Sequence, residues 1–174
     1  MVATNEVPVT LWMRSEENAQ KVAQDGENSA YLPGYKLNSS LNISSDLNTV
    51  VSSADVIFFA VPSSSFRALA SDIQGIVKPG AFLISTAKGI EPDSFLLPSQ
   101  ILEEQLPECE IGVISGPNLA AEIAQHQITA TVVASENADL CEAVQGLLVS
   151  KYFRVYANQD RYGVELAGAL KNIY

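Results

Sequence analysis

Six consecutive apolar residues, Val56-Ile57-Phe58-Phe59-Ala60-Val61, stand between Asp55 and Pro62. The run is strand-sized, well short of the roughly 20 residues that a membrane-spanning helix needs. It does not alternate between apolar and polar positions. A strand that is apolar throughout is covered on both faces, the condition of a parallel sheet packed between helices. The rest of the chain conforms. Strand-like runs at 7–12, 81–86, 111–114, 128–134 and 153–156 alternate with helical patterns at 16–25, 45–53, 63–76, 95–106, 119–125, 138–149 and from 161 onward. Ser15 is placed to cap the first helix and Ser44 or Ser45 to open the second. Such alternation predicts one α/β domain built on a mainly parallel sheet with helices on both faces.

Charge narrows the partners. The 174 residues carry 10 Lys and Arg against 20 Asp and Glu, a net charge of −10. So acidic a surface repels phosphate backbones, and nucleic-acid binding is not expected. An anionic ligand would be held by a few placed cations and backbone N–H groups, so each basic residue at a strand end carries information. Cys109 and Cys141 form no C-x-x-C pair and stand apart from the single His126. No metal site is expected; two free thiols of a reducing compartment are. No membrane span is expected, and no basic-then-apolar leader pattern follows Met1.

Ligands of open parallel sheets gather at the carboxyl ends of the strands. Arg14 ends the first strand segment, where a dinucleotide fold meets the adenine ribose. A guanidinium there can clamp a 2′-phosphate or stack on adenine, and it reads equally as a solvated arginine at a helix start. Lys88, in Ala87-Lys88-Gly89, can hold an anion, with Gly89 letting backbone pass close by; a loop lysine in water is the plainer reading. In Ser115-Gly116-Pro117-Asn118-Leu119-Ala120, Asn118 is a helix cap whose first-turn N–H groups can face an anion, or a cap and nothing more. Lys171 shares a helix face with Ala167 and Gly168, both very small. Either they clear space for a ligand beside a lysine of lowered pKa, or the helix packs tightly on a neighbour and Lys171 faces out.

Six segments stand in one order: Leu11-Trp12-Met13-Arg14, Tyr31-Leu32-Pro33-Gly34, Ala60-Val61-Pro62-Ser63, Lys88-Gly89-Ile90-Glu91, Ser115-Gly116-Pro117-Asn118 and Gly168-Ala169-Leu170-Lys171-Asn172. Phe153-Arg154-Val155-Tyr156 and Gly163-Val164-Glu165 fit between them. The ordered set resembles the bacterial type of NAD(P)-dependent glycerol-3-phosphate dehydrogenase, over essentially the whole chain. The resemblance implies a Rossmann-like, doubly wound α/β fold, with an NAD(P)-binding domain over 1–157 and the start of a helical substrate domain over 158–174. It implies interconversion of dihydroxyacetone phosphate and sn-glycerol 3-phosphate with NAD(P)H, in the cytoplasm, feeding glycerophospholipid synthesis, and it leaves room for a homodimer. Carried over to this chain, Lys171 is the catalytic proton donor or acceptor, and Lys88 touches both cofactor and substrate. Gly116, Asn118 and Asn172 hold substrate; Ala120 touches the cofactor; Arg14 and Tyr31 lie near its adenosine end.

The chain departs from the family in two respects. No G-x-G-x-x-G turn occurs in it, and no helical domain follows Lys171-Asn172. The sequence therefore reads as a piece beginning at the end of the family's first helix, and weak cofactor binding with negligible turnover is expected of it alone. A hydroxyacid dehydrogenase on the same sheet and a non-catalytic nucleotide-binding or interaction module are the alternatives.

Overall fold

A computed structural model of the protein describes residues 2–5 and 7–171. After a short 3-10 turn at Val2–Asn5, strands and helices alternate. β1 (Val9–Trp12), α1 (Glu16–Asp25), β2 (Leu41–Ser44) and α2 (Leu47–Ser53) come first. β3 (Val56–Phe59), α3 (Phe66–Asp72), β4 (Phe82–Ser85), α4 (Pro98–Gln105) and β5 (Glu110–Ser115) follow. α5 (Ala120–Ala124), β6 (Thr129–Ala134), α6 (Ala138–Leu148), β7 (Phe153–Asn158) and α7 (Arg161–Leu170) complete the described chain.

The strands make two sheets. β1 and β2 pair in parallel by themselves, and the other five run in the order β3-β4-β5-β6-β7. Every ladder is parallel except β5 against β6, so β6 and β7 run opposite to β3, β4 and β5. The larger sheet is covered on both faces. Leu83 and Ile84 are neighbours on β4, and alternation sends their side chains to opposite sides. Leu83 joins Phe66, Ala70, Ile101 and Leu102 under α3 and α4, while Ile84 joins Val133, Leu140 and Val144 under α6. β3, the continuous run, is an edge strand, and Val56, Ile57 and Phe58 are only half-buried.

Several boundaries differ from expectation, each for a local reason. Residues 41–44 form β2, a strand hidden between serine- and asparagine-rich turns. α2 opens at Leu47 because Asp46, not Ser44 or Ser45, accepts from the Thr49 N–H. α3 begins only after a 3-10 turn at Ser63–Ser65 and ends at Asp72. α4 begins at Pro98, three residues later than the apolar pattern implies. Phe95 sits at φ 58°, left-handed and 79% exposed, and Leu97 is extended as a residue before proline must be.

Candidate active site

The exits of β3, β4 and β5 are tied together by side chains. Thr86, just past β4, donates its hydroxyl to the Phe59 carbonyl at 3.0 Å, closing the β3 side. Lys88 extends across to β5, and its Nζ donates to the Gly116 carbonyl at 3.0 Å. Gly89 has φ 145°, and a Cβ there would come within 3.3 Å of Ser63. The close neighbour that Gly89 admits is thus the Pro62-Ser63 turn. Beyond it the loop is held by Glu91, which takes three hydrogen bonds of 2.7 to 3.1 Å from Arg67 on α3. Those bonds, with one from Ser94, hold the Glu91 carboxyl down at about 2.

At the β5 exit the chain turns through Gly116-Pro117-Asn118. Asn118 is not the cap expected of it. α5 is only five residues long, its N-cap position is Leu119, and no side chain caps it. The Asn118 amide is drawn instead to β6, where Nδ2 donates to Thr131 Oγ1 at 2.8 Å and that hydroxyl donates onward to the Ser115 carbonyl at 3.0 Å. The relay fixes which way the amide faces and leaves Asn118 Oδ1 buried without a partner. Buried amide oxygens are nearly always paired, and an orphan beside a pocket is an acceptor waiting for a donor. A Cβ on Gly116 would press on Thr131 Oγ1, the Ala130 carbonyl and Asn118 Nδ2 at 3.0 to 3.1 Å, so the turn has no room for a side chain.

α7 approaches this turn from outside the sheet. Asp160 caps it by accepting from the Gly163 N–H at 2.8 Å. Glu165, only 5% exposed, then reaches α4, accepting from the Ser99 N–H at 3.0 Å and the Ser99 hydroxyl at 2.5 Å. Burial pushes the Glu165 carboxyl above its usual range, and the Ser99 bonds pull against that rise. One turn back, Arg161 pairs with Glu103 of α4. One turn on, Gly168 is buried against β5, so close that a Cβ would run into Ser115 Oγ. Lys171 follows three residues later at the C-cap, exposed, with its N–H donating to the Ala167 carbonyl. Asn172 lies outside the described residues.

A cavity of about 300 Å³ opens at the exits of β3, β4 and β5, on the face of the sheet that α6 covers, and no α7 residue lines it. Lys88, Gly116 and Asn118 line it with Thr86, and Phe58, Ile114, Leu148 and Phe153 give it apolar walls. One cation, the Asn118 amide and two aromatic side chains suit the nicotinamide end of a dinucleotide beside a small polar substrate. Of the other expected residues, Lys171 is not on the cavity wall; its helix packs on Ser115, which stands between the lining residues Ile114 and Gly116 and turns its side chain to the other face of β5. Ala120 is the exposed first residue of α5. Arg14 is exposed between β1 and α1, and Tyr31 is 83% exposed in the turn after α1. Both belong to the β1–β2 side of the molecule, away from the cavity lining. Thr131, Ser115 and Glu165 hold the site's parts in place, a role that no pattern in the sequence shows because their partners are distant in it.

The architecture is that of the Rossmann-like dinucleotide-binding domains, with a lysine-bearing pocket at the carboxyl edge of a mainly parallel sheet. A family model described as NAD-dependent glycerol-3-phosphate dehydrogenase N-terminus matches residues 1–141, and the chain belongs to that family. A glycerol-3-phosphate dehydrogenase [NAD(P)+] of Teredinibacter turnerae is 52% identical over 174 residues, which is 100% of this chain and 51% of the relative. The crystal structure of glycerol-3-phosphate dehydrogenase from Coxiella burnetii superposes with TM-score 0.93 at 30% identity, covering 99% of this chain and 53% of that one. The glycerol-3-phosphate dehydrogenase of Saccharomyces cerevisiae gives 0.88 at 29%, covering 99% and 55%. The chain thus spans about half the length of the relatives it matches.

Proposed function

We propose that this chain forms the nucleotide-binding half of an enzyme that interconverts dihydroxyacetone phosphate and sn-glycerol 3-phosphate with NAD(P)H. The division is taken at residue 157, with 158–174 opening a helical substrate domain. One observation carries the reading: three segments meet at the β5 exit. Lys88 donates to the Gly116 carbonyl, Asn118 presents an unpaired buried oxygen beside it, and α7 packs on Ser115 through Gly168, three residues before Lys171.

The nicotinamide, when bound, supplies or takes the hydride at the substrate's second carbon. In the direction of reduction the carbonyl oxygen gains negative charge and needs a proton. Lys171 stabilises that charge as an ammonium and then donates the proton; in oxidation its free amine takes the proton back. Lys88, one of ten basic residues in a chain of net charge −10, holds anionic groups of cofactor and substrate at the pocket mouth. Gly116 keeps the turn open, and Asn118 Oδ1 accepts from a substrate hydroxyl. Asn172 helps to hold the substrate. Ala120 meets the cofactor, and Arg14 and Tyr31 lie toward its adenosine end, with Arg14 suited to admitting a 2′-phosphate as well as a plain ribose.

The setting belongs to the same proposal. Among the described residues no helix is long and apolar enough to cross a membrane, and Cys109 and Cys141 are unpaired. Free thiols suit a reducing cytoplasm, and the acidic surface leaves nucleic acid out of the partners. The test is the full-length protein assayed by loss of reduced nicotinamide absorbance with dihydroxyacetone phosphate. Lys171→Met is expected to lower kcat by about a hundredfold or more, the usual loss on removing a general acid. Wild-type turnover on hydroxyacids but not on dihydroxyacetone phosphate, or an undiminished Lys171→Met enzyme, overturns the reading.

A further inference from the structure

Glu165 is a carboxylate in an unusual place. It is 5% exposed, its partner Ser99 is 2% exposed, and the two lie 66 residues apart in sequence. Its position answers a deficiency in α4. The first-turn N–H groups of a helix have no partner within it, and the N-cap position of α4 is Leu97, whose side chain has no acceptor. The Leu97 N–H is taken by Gln100 Oε1 at 2.9 Å, which leaves the Ser99 N–H for another element to satisfy. Glu165 takes it from α7, together with the Ser99 hydroxyl. A carboxylate is well suited to that end of the helix dipole.

The consequence falls on α7. Residues 161, 165 and 168 follow one face of a helix at 3.6 residues per turn. Arg161 and Glu165 attach that face to α4, and Gly168 rests on Ser115. Arg161 is held by one surface carboxylate, whereas Glu165 is held by two directional bonds, which together fix rotation about the helix axis. Lys171 is three residues past Gly168, so its direction from the axis is set by that rotation.

We propose that Glu165 is a positioning residue for Lys171, docking α7 on the first turn of α4 so that the helix brings the amine to the Gly116 turn. The inference rests on the proposed function, since it assigns Glu165 a part in delivering that proton donor. A loosened α7 displaces the amine, and a displacement of about 1 Å at a reacting group costs on the order of a hundredfold in rate.

The experiment is steady-state kinetics on the full-length protein with dihydroxyacetone phosphate and NADH. Glu165→Ala is expected to lower kcat about a hundredfold while the KM for NADH stays within about twofold, because the cofactor site is not on α7. Glu165→Gln keeps an oxygen for the Ser99 N–H and is expected to recover most of the rate. The decisive arm is the double variant. If Glu165 acts through the lysine, Glu165→Ala adds nothing to Lys171→Met; a general structural lesion would multiply the two losses. Ser99→Ala, a smaller change, is expected to lower kcat by about tenfold and carries the same cycle if Glu165→Ala does not fold. The proposal is overturned by wild-type kcat in Glu165→Ala or, where that protein is unfolded, in Ser99→Ala. Multiplicative losses in the double variant, or a Glu165→Gln enzyme as slow as Glu165→Ala, overturn it too. If Lys171→Met itself keeps full turnover, the assignment of the lysine fails, and the positioning role with it.

Discussion

At the scale of single residues, two small contacts decide whether the β5 exit keeps its shape. Gly168 stands inside a helix, where alanine is ordinarily better by about 1 kcal/mol. The Cβ it lacks would collide with Ser115 Oγ, and overpacking of that kind costs about 1 to 3 kcal/mol. The two nearly offset. Gly168→Ala is expected to shift the urea midpoint little in the wild-type background and to raise it once Ser115→Ala has removed the Oγ; the same shift in both backgrounds would show that α7 does not rest there. Thr131 is the second contact, since its hydroxyl accepts from Asn118 and donates to the Ser115 carbonyl. Valine has the same shape and neither bond. Thr131→Val is expected to cost about 1 to 3 kcal/mol for the polar groups left unpaired, and to raise the substrate KM in the full-length protein. An unchanged KM would mean that the direction of the Asn118 amide does not matter to binding.

At the scale of elements, the Lys88 loop depends on its tie to α3. Arg67 grips Glu91 with two of its nitrogens and Glu104 with a third. Glu91 falls from 4.5 to about 2 in the folded protein, so protons bind the unfolded state first. The stability it contributes is present above its ordinary value and is lost as pH falls through about 2. Glu165 has the opposite sign: burial raises its carboxyl, so its contribution is full at low pH and declines as pH rises through the raised folded value. Thermal melts between about pH 5 and pH 2 are therefore expected to fall more steeply for wild type than for Glu91→Gln. Parallel curves would show that the loop tie is not coupled to stability. These same elements mark what was legible in the sequence. The apolar runs at 56–61 and 81–86 locate β3 and β4, and Ser15 is legible as a cap because its partner, the Asn18 N–H, is three residues away. β2 escaped because Leu41-Asn42-Ile43-Ser44 offers two apolar residues between turns. Asn118 has the look of a cap because a cap and a bond to a strand thirteen residues on are alike in one dimension. Lys88 and Lys171 stood out by residue type, while Ser99 and Thr131 have meaning only through partners the fold brings to them.

At the scale of the whole molecule, the two sheets should differ in how firmly they are held. The five-stranded sheet has a core on each face, with Leu83, Ile84, Leu102, Leu140 and Val144 fully buried. The β1–β2 pair has far less: Ala19 and Val22 of α1 and Val51 of α2 are buried nearby, while Val9, Leu11, Leu41 and Ile43 on the strands are only half-covered. A two-stranded sheet is marginal in water unless something packs on it, and local opening follows the density of buried apolar contact. Amide exchange is therefore expected to be slowest at β4 and β5 and markedly faster at β1 and β2, with α1 opening alongside them. Arg14 and Tyr31, proposed to meet the adenosine end of the cofactor, sit on that looser side. NADPH at concentrations high enough to saturate the weak binding expected of this chain is then expected to slow exchange around Ser15 and α1 more than at β4, because a ligand shifts most the region with most freedom to lose. Uniform protection across both sheets would mean that the β1–β2 pair is held by the larger sheet as firmly as β4 is. Cofactor-dependent slowing confined to β6 and β7 would move the adenosine end away from Arg14.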